Sequence, residues 1–93
     1  MEDLTFDDFQ PLESRSLPVA VGDEAVQLRL DSVEALPASA RAAGAFRLEF
    51  VGPSQPLLTQ GTYEFDLGSE RREIFIVPIG LGQDGARYEA VFF

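Results

Sequence analysis

From Gln60 to Phe93 the chain reads QGTYEFDLGSERREIFIVPIGLGQDGARYEAVFF, three apolar runs rich in β-branched and aromatic residues and joined by short turn-forming segments. Short apolar runs bounded by Gly, Ser and Asp read as strands. Connections this short allow only antiparallel neighbours, because a parallel pair needs a crossover of a dozen or more residues. The stretch is therefore read as an antiparallel β meander. Its last run, Tyr88 to Phe93, is too apolar to leave in water, so it belongs to the fold rather than to a tail.

The same alternation extends upstream. Phe46, Leu48 and Phe50 alternate with Arg47 and Glu49, and Val26, Leu28 and Leu30 alternate with Gln27, Arg29 and Asp31. A period of two places each apolar set on one face of a strand. Val33 breaks the parity of the second set, which predicts a β-bulge near Ser32 or a sharp bend. Val19 to Val21, after Pro18, reads as a brief strand, and Gly22-Asp23-Glu24 as the turn that follows. Glu34 to Gly44 is Ala-rich and contains Pro37. It predicts a loop with a helical turn from Ser39 to Gly44.

Gly52-Pro53-Ser54-Gln55-Pro56 stops the Phe46–Phe50 strand. Tyr63, Phe65 and Leu67 then alternate with Glu64 and Asp66, and Gly68-Ser69 turns the chain. Ile74 to Val77 is apolar on both faces, which predicts a central strand or one lying under a second layer. Pro78 lacks an N–H, so pairing there is expected on one side only. Asp84-Gly85 is a strong turn signal before the final strand.

A short helix is expected ahead of these strands. Thr5 is a suitable N-cap, with Asp8 three residues on in a variant of the capping box, and Leu4 and Phe9 stand at the positions of a hydrophobic staple. Asp7 and Asp8 suit the positive end of the helix dipole. Pro11 limits the helix, leaving Phe6, Phe9 and Leu12 to plug one end of a sheet or barrel. The expected fold is all-β and mainly antiparallel: a small roll, barrel or sandwich of five to seven strands with one short N-terminal helix, residues 1–93 forming a single domain. A chain of 93 residues buries only about 60–65% of its unfolded surface, and its eight Phe fill so thin a core efficiently.

The residues that are missing restrict the chemistry. There is no Cys and no His, and all seven cations are Arg. Disulfides, Ser–His and Cys–His nucleophiles, Schiff-base lysines and the usual zinc sites are all excluded. Gly80-Leu81-Gly82 precedes a turn and a strand rather than a helix, so it is no phosphate loop. Glu64 and Asp66 share a strand face and could form an acid/base pair, but a domain this small builds little wall around a substrate, and a solvated face is the better reading. Asp7 and Asp8 are explained by the helix start, and no Asp-rich loop has calcium spacing. The expectation is a non-enzyme without cofactor or metal.

Sixteen acids against seven Arg give a net charge of −9. Nucleic acids and anionic membrane surfaces are repelled by such a chain. No apolar run approaches the roughly 20 residues of a membrane span, and MEDLTFDDF lacks the basic start of a signal peptide. A cytoplasmic protein is expected, or one exported as part of an assembly without a classical signal.

Candidate contact residues remain. Leu57 and Leu58 lie between turn formers, where apolar side chains are unexpected. They either fold over a barrel end or stand out as a contact, and the sequence weighs the two equally. Tyr63 and Tyr88 are interface anchors or core-edge residues. Leu57, Leu58, Tyr63 and Tyr88 thus form the candidate interaction patch. Arg71-Arg72 is the one basic doublet, read as a solvated turn.

The order of motifs carries a resemblance. Phe46–Phe50 followed by Gly52-Pro53, then Leu58, Gln60-Gly61-Thr62-Tyr63, Ile74-Phe75-Ile76-Val77-Pro78-Ile79-Gly80 and Tyr88-Glu89-Ala90-Val91-Phe92, resembles a family of small uncharacterised bacterial domains of about this length. The combination is specific and covers the second half of the chain; Leu4 to Phe9 and Leu12 resemble the family's opening segment. Glu13-Ser14-Arg15 departs from it where a Gly-containing turn is expected. The resemblance implies a small β domain of unknown function in phage-tail-like gene neighbourhoods, and carries over no catalytic residue. The functional expectation is a structural or protein-interaction module of such an assembly, with an unidentified protein partner and self-association left open. The alternative is a small-ligand-binding β domain with its pocket inside the barrel.

Overall fold

The computed structural model describes residues 4–36 and 45–92. Its strands are β1 (Ser16–Val21), β2 (Glu24–Ala35), β3 (Phe46–Gly52), β4 (Gly61–Asp66), β5 (Arg71–Gly82) and β6 (Gly85–Phe92). They close into an antiparallel barrel in the order β1-β2-β3-β6-β5-β4. Of the roll, barrel and sandwich that the sequence allows, the barrel is formed. Closure leaves no free outer strand, which solves the edge problem of a small sheet.

The helix α1 (Phe6–Phe9) precedes the barrel and runs into a 3₁₀ turn at Gln10–Leu12. The Thr5 N–H donates to an Asp8 carboxylate oxygen at 2.8 Å, the expected capping contact. Pro11 falls in the 3₁₀ turn, where its missing donor costs nothing. Phe9 is fully buried and stands 5.7 Å from Phe46 and 5.9 Å from Phe92 between ring centroids. Phe46 and Phe92 stack at 4.5 Å. These rings plug one end of the barrel, with Phe6 and Leu12 packed against the core beside them. Phe50 and Phe65 meet at 5.1 Å further along the interior.

The parity break at Val33 is a bulge. Leu30 pairs with Phe50 and Ser32 with Glu49, so Asp31 is the extra residue and Val33 returns to the core side opposite Leu48. β2 then continues through Glu34 and Ala35, which pair with Arg47 and Phe46. The loop expected from Glu34 therefore starts later, because cross-strand pairing with β3 holds both residues extended. The helical turn expected at Ser39–Gly44 lies outside the described residues.

Both strand prolines lie inside longer strands than their sequence suggests. β1 starts at Ser16 rather than Val19. The Leu30 N–H donates to Arg15 O at 2.9 Å, so by alternation residues 15, 17 and 19 bond to β2 and residues 16, 18 and 20 turn away from it. Pro18 thus removes no bond of the β1–β2 ladder. β5 changes partner along its length, pairing with β4 over Arg71–Ile76 and with β6 over Val77–Gly82. Pro78, past the end of β4, has a neighbour on one side only, as its chemistry requires. A second register shift follows it, with Ile79 as the extra residue.

Candidate functional site

The four residues of the sequence-derived patch do not share a surface. Tyr88 is fully buried in β6, and its hydroxyl oxygen accepts the buried Leu58 N–H at 2.8 Å. Leu58 is 4% exposed, held under the barrel rim by that bond. Tyr63 is half-buried and donates its hydroxyl to Thr59 O at 2.8 Å. Leu57, 53% exposed, alone faces water. The loop thus divides the two leucines between both readings: Leu58 covers the barrel end and Leu57 points out. Leu58 and Tyr88 present nothing to a partner in this conformation.

The exposed apolar surface lies on β5 instead. Phe75 is 51% exposed, and Ile79 and Leu81 are similarly open. Ile74 and Ile76 point into the barrel, so Phe75 and Val77 point out. Extending the register Val77↔Glu89 by two residues sets Phe75 beside Val91 of β6, which is also exposed. β5 pairs with β4 along its first half and with β6 along its second, and among the described residues no second layer covers its outer face. Apolarity on both faces therefore records a bare patch. It is rimmed by charge: Glu64 and Glu73 are directly opposed on β4 and β5, and Glu89 sits opposite Val77.

Next to this patch, the outer face of β2, β3 and β6 carries a ladder of ion pairs. Arg87 reaches Asp31 at 3.1 Å, Glu49 at 3.2 Å and Asp84 at 3.1 Å. Arg47 bridges Glu49 at 2.7 Å and also pairs with Glu89, while Arg29 meets Asp31 at 3.1 Å. The hydrogen bonds that Arg47 donates to the Glu89 and Glu49 carboxylates raise its pKa above the usual value. The bulge aims Asp31 into this ladder. The Arg87 hydrogen bond holds the Asp31 carboxyl below the usual carboxylate range, against the opposing effect of desolvation and with further help from Arg29.

A lowered native pKa fixes the sign of the pH dependence. The Asp31 contribution is complete above the unfolded carboxylate value of about 3.9 and is lost as pH falls through the lower native value. Asp31→Asn should lower Tm at pH 7 by about 2–6 °C, a modest effect because water screens a carboxylate 34% exposed. It should also flatten the loss of stability below pH 4. Thermal melts of both proteins from pH 2.5 to 7 check this, and parallel acid limbs would refute it.

Glu64 and Asp66, the acid pair considered from sequence, stand on the outer face of β4. Glu64 is exposed and lies 3.8 Å from Arg71. Asp66 accepts the Gly68 N–H at 2.9 Å and so shapes the β4–β5 turn. Among the described residues, no group of three or more Asp and Glu side chains converges to hold a metal ion. Nor is any described helix long and apolar enough to cross a membrane.

A family model described as Domain of unknown function (DUF6916) matches residues 4–92, from the capped helix to the end of β6. The chain belongs to this family. Membership spans the helix, the barrel and the 37–44 segment alike, so the DUF6916 unit is the whole barrel with its helical plug. The resemblance seen in the motifs is thereby placed in an uncharacterised family. No curated protein and no solved structure matches the chain.

Proposed function

We propose that this domain is a non-catalytic structural or protein-interaction module that presents the outer face of β5 to a partner. The observation that carries the reading is the exposed apolar surface of Phe75 and Ile79 on β5, continued by Val91 on β6. Exposed apolar residues grouped on one face mark contact surfaces, whereas single ones do not. A rim containing Glu64, Glu73 and Glu89 favours a partner whose contact has an apolar centre and basic edges. The filled interior supports the same reading over small-ligand binding: Phe50, Phe65 and Tyr88 are each fully buried along the barrel axis. A phage-tail-like or other bacterial assembly is the setting we favour, since such particles use rigid β modules as subunits.

The test uses the tagged domain in its native lysate, with Phe75→Ser/Ile79→Ser as the comparison. A partner retained in stoichiometric amount by the wild type should fall at least tenfold with the variant. Tm should fall only modestly, because both side chains are already about half in water. Size-exclusion chromatography of both proteins shows whether the partner is a second copy. Capture that survives the double substitution, or a wild type that neither captures a protein nor self-associates, would overturn the assignment.

A further inference from the structure

The patch on β5 has an outline as well as a chemistry. Phe75, Val77 and Ile79 follow one another on the outer face, spanning about 13 Å of strand. Val91 stands beside Phe75 on β6, so the apolar strip is two strands wide. The faces on either side of it are polar. On β4, Thr62 lies opposite Phe75 and Glu64 opposite Glu73. On β3, Arg47 lies opposite Val91 and Glu49 opposite Glu89. A strip of this outline suits one helix, which is about 10 Å across and covers 13 Å in two to three turns. A second sheet would need apolar residues on several adjacent strands, and β4 and β3 do not supply them. An extended segment fits no better. The N–H and C=O groups of a sheet point sideways toward neighbouring strands, so a chain lying across the face meets side chains alone. Its own backbone groups would lose water and stay unpaired, whereas a helix bonds its own internally.

Charge gives the occupant a direction. Glu73 precedes Phe75 at one end of the strip and is directly opposed to Glu64 on β4. Like charges so placed across a sheet are destabilising. Arg71 lies 3.8 Å from Glu64, but among the described residues no cation pairs with Glu73. Glu89, at the flank, is held by Arg47. The uncompensated acid therefore sits at the Glu73 end. A second copy of this chain does not fit the face. It would bring acid to acid, and its described helix α1 is four residues long, with Phe9 buried in the core.

We propose that the outer face of β5 takes an amphipathic helix of another protein. Its apolar stripe lies on Phe75, Ile79 and Val91, and a Lys or Arg at one end of the stripe reaches Glu73 and Glu64. The inference rests on the reading of β5 as a contact face and adds the form and the charge of what binds there.

The test is a selection of displayed 18-residue peptides on the folded 93-residue domain. One library carries apolar residues at helical spacing with Lys, Glu, Gln or Ala at every other position, and a second library is unpatterned. Winners should come from the first, with Lys rather than Glu at one end of the stripe. Circular dichroism should show an enriched peptide gaining helix on binding, and a Pro at its centre should weaken it at least tenfold. Phe75→Ser/Ile79→Ser should cost a similar factor. Glu73→Lys should also weaken binding at least tenfold in 50 mM salt, yet raise Tm by about 1–4 °C by relieving the repulsion from Glu64. Opposite signs on binding and stability separate recognition from a structural role, and thermal melts establish that each variant is folded. Amide shifts on binding should fall on β5 and β6. Acidic winners, an enriched peptide that binds without gaining helix, or shifts away from β5 would each overturn the proposal. So would failure of the patterned library to enrich. Lysate capture that still depends on Phe75 and Ile79 would then leave the contact face standing, and loss of that capture too would remove both.

Discussion

Gly85→Ala is expected to remove a large part of the domain's stability and to lower its Tm sharply. Gly85 opens β6 at φ 125°, a region that side-chain-bearing residues rarely adopt. A Cβ there would also overlap the carbonyl oxygen of Gly52 at the end of β3, which is backbone and cannot swing aside. The register Gly52↔Ala86 requires that approach, so relief means pulling the β5–β6 hairpin off β3. Strain and overlap together should cost about 4 kcal/mol or more. Domains of this size have only about 5–10 kcal/mol to lose. Gly80→Ala is the control: Gly80 has open space around it and no left-handed φ, so its Tm should stay within a few degrees of wild type or rise slightly. Circular dichroism melts of the two variants decide the matter. A Gly85→Ala protein melting like wild type would mean that β6 does not cross β3 in this register.

That contrast was half legible in the sequence. Asp84-Gly85 announces a turn, and the structure places the turn at Gln83-Asp84 with Gly85 opening the next strand. The close approach to Gly52 is not legible, because 33 positions of sequence separate the two glycines and no local pattern connects them. The same division runs through the fold. Local devices could be read directly: the Thr5–Asp8 cap, the bulge demanded by Val33, the one-sided neighbour of Pro78. Each follows from a single residue's geometry. Strand order could not be read, because β3 lies beside β6 rather than β4 by virtue of long-range pairing.

The surface was harder still. Periodicity reports which face is apolar, not whether another layer covers it, so Phe75 looked like a covered side chain and is half in water. Leu57 and Leu58 are chemically identical neighbours with opposite fates. Only the hydroxyl of Tyr88, 30 positions away, decides which of them turns inward. Pro18 reads in the sequence as the limit of a strand, and the structure places it inside β1.

Tyr88 itself should behave as a structural residue with two separable contributions. Its ring is fully buried among the core side chains, and its hydroxyl is the acceptor for the buried Leu58 N–H. Tyr88→Phe keeps the ring and removes the acceptor, leaving a buried amide unpaired at a cost of about 1–3 kcal/mol. Tyr88→Ala removes the ring as well and leaves a cavity at the barrel axis, which raises the loss to about 3–5 kcal/mol. Tyr63→Phe also deletes a tyrosine hydroxyl bonded to this loop, but that one donates to Thr59 O at an exposed site. Water can replace it, so the change should stay within about 0.5 kcal/mol. Urea titrations of the three variants separate these terms, and hydrogen exchange at the Leu58 amide reads the first of them directly. Fast exchange in Tyr88→Phe together with retained exchange protection in the strands would show that the bond pins the loop, not the barrel. If Tyr88→Phe were as stable as wild type with Leu58 still protected, another acceptor must hold that amide, and the tyrosine would need a reason to be there other than the fold.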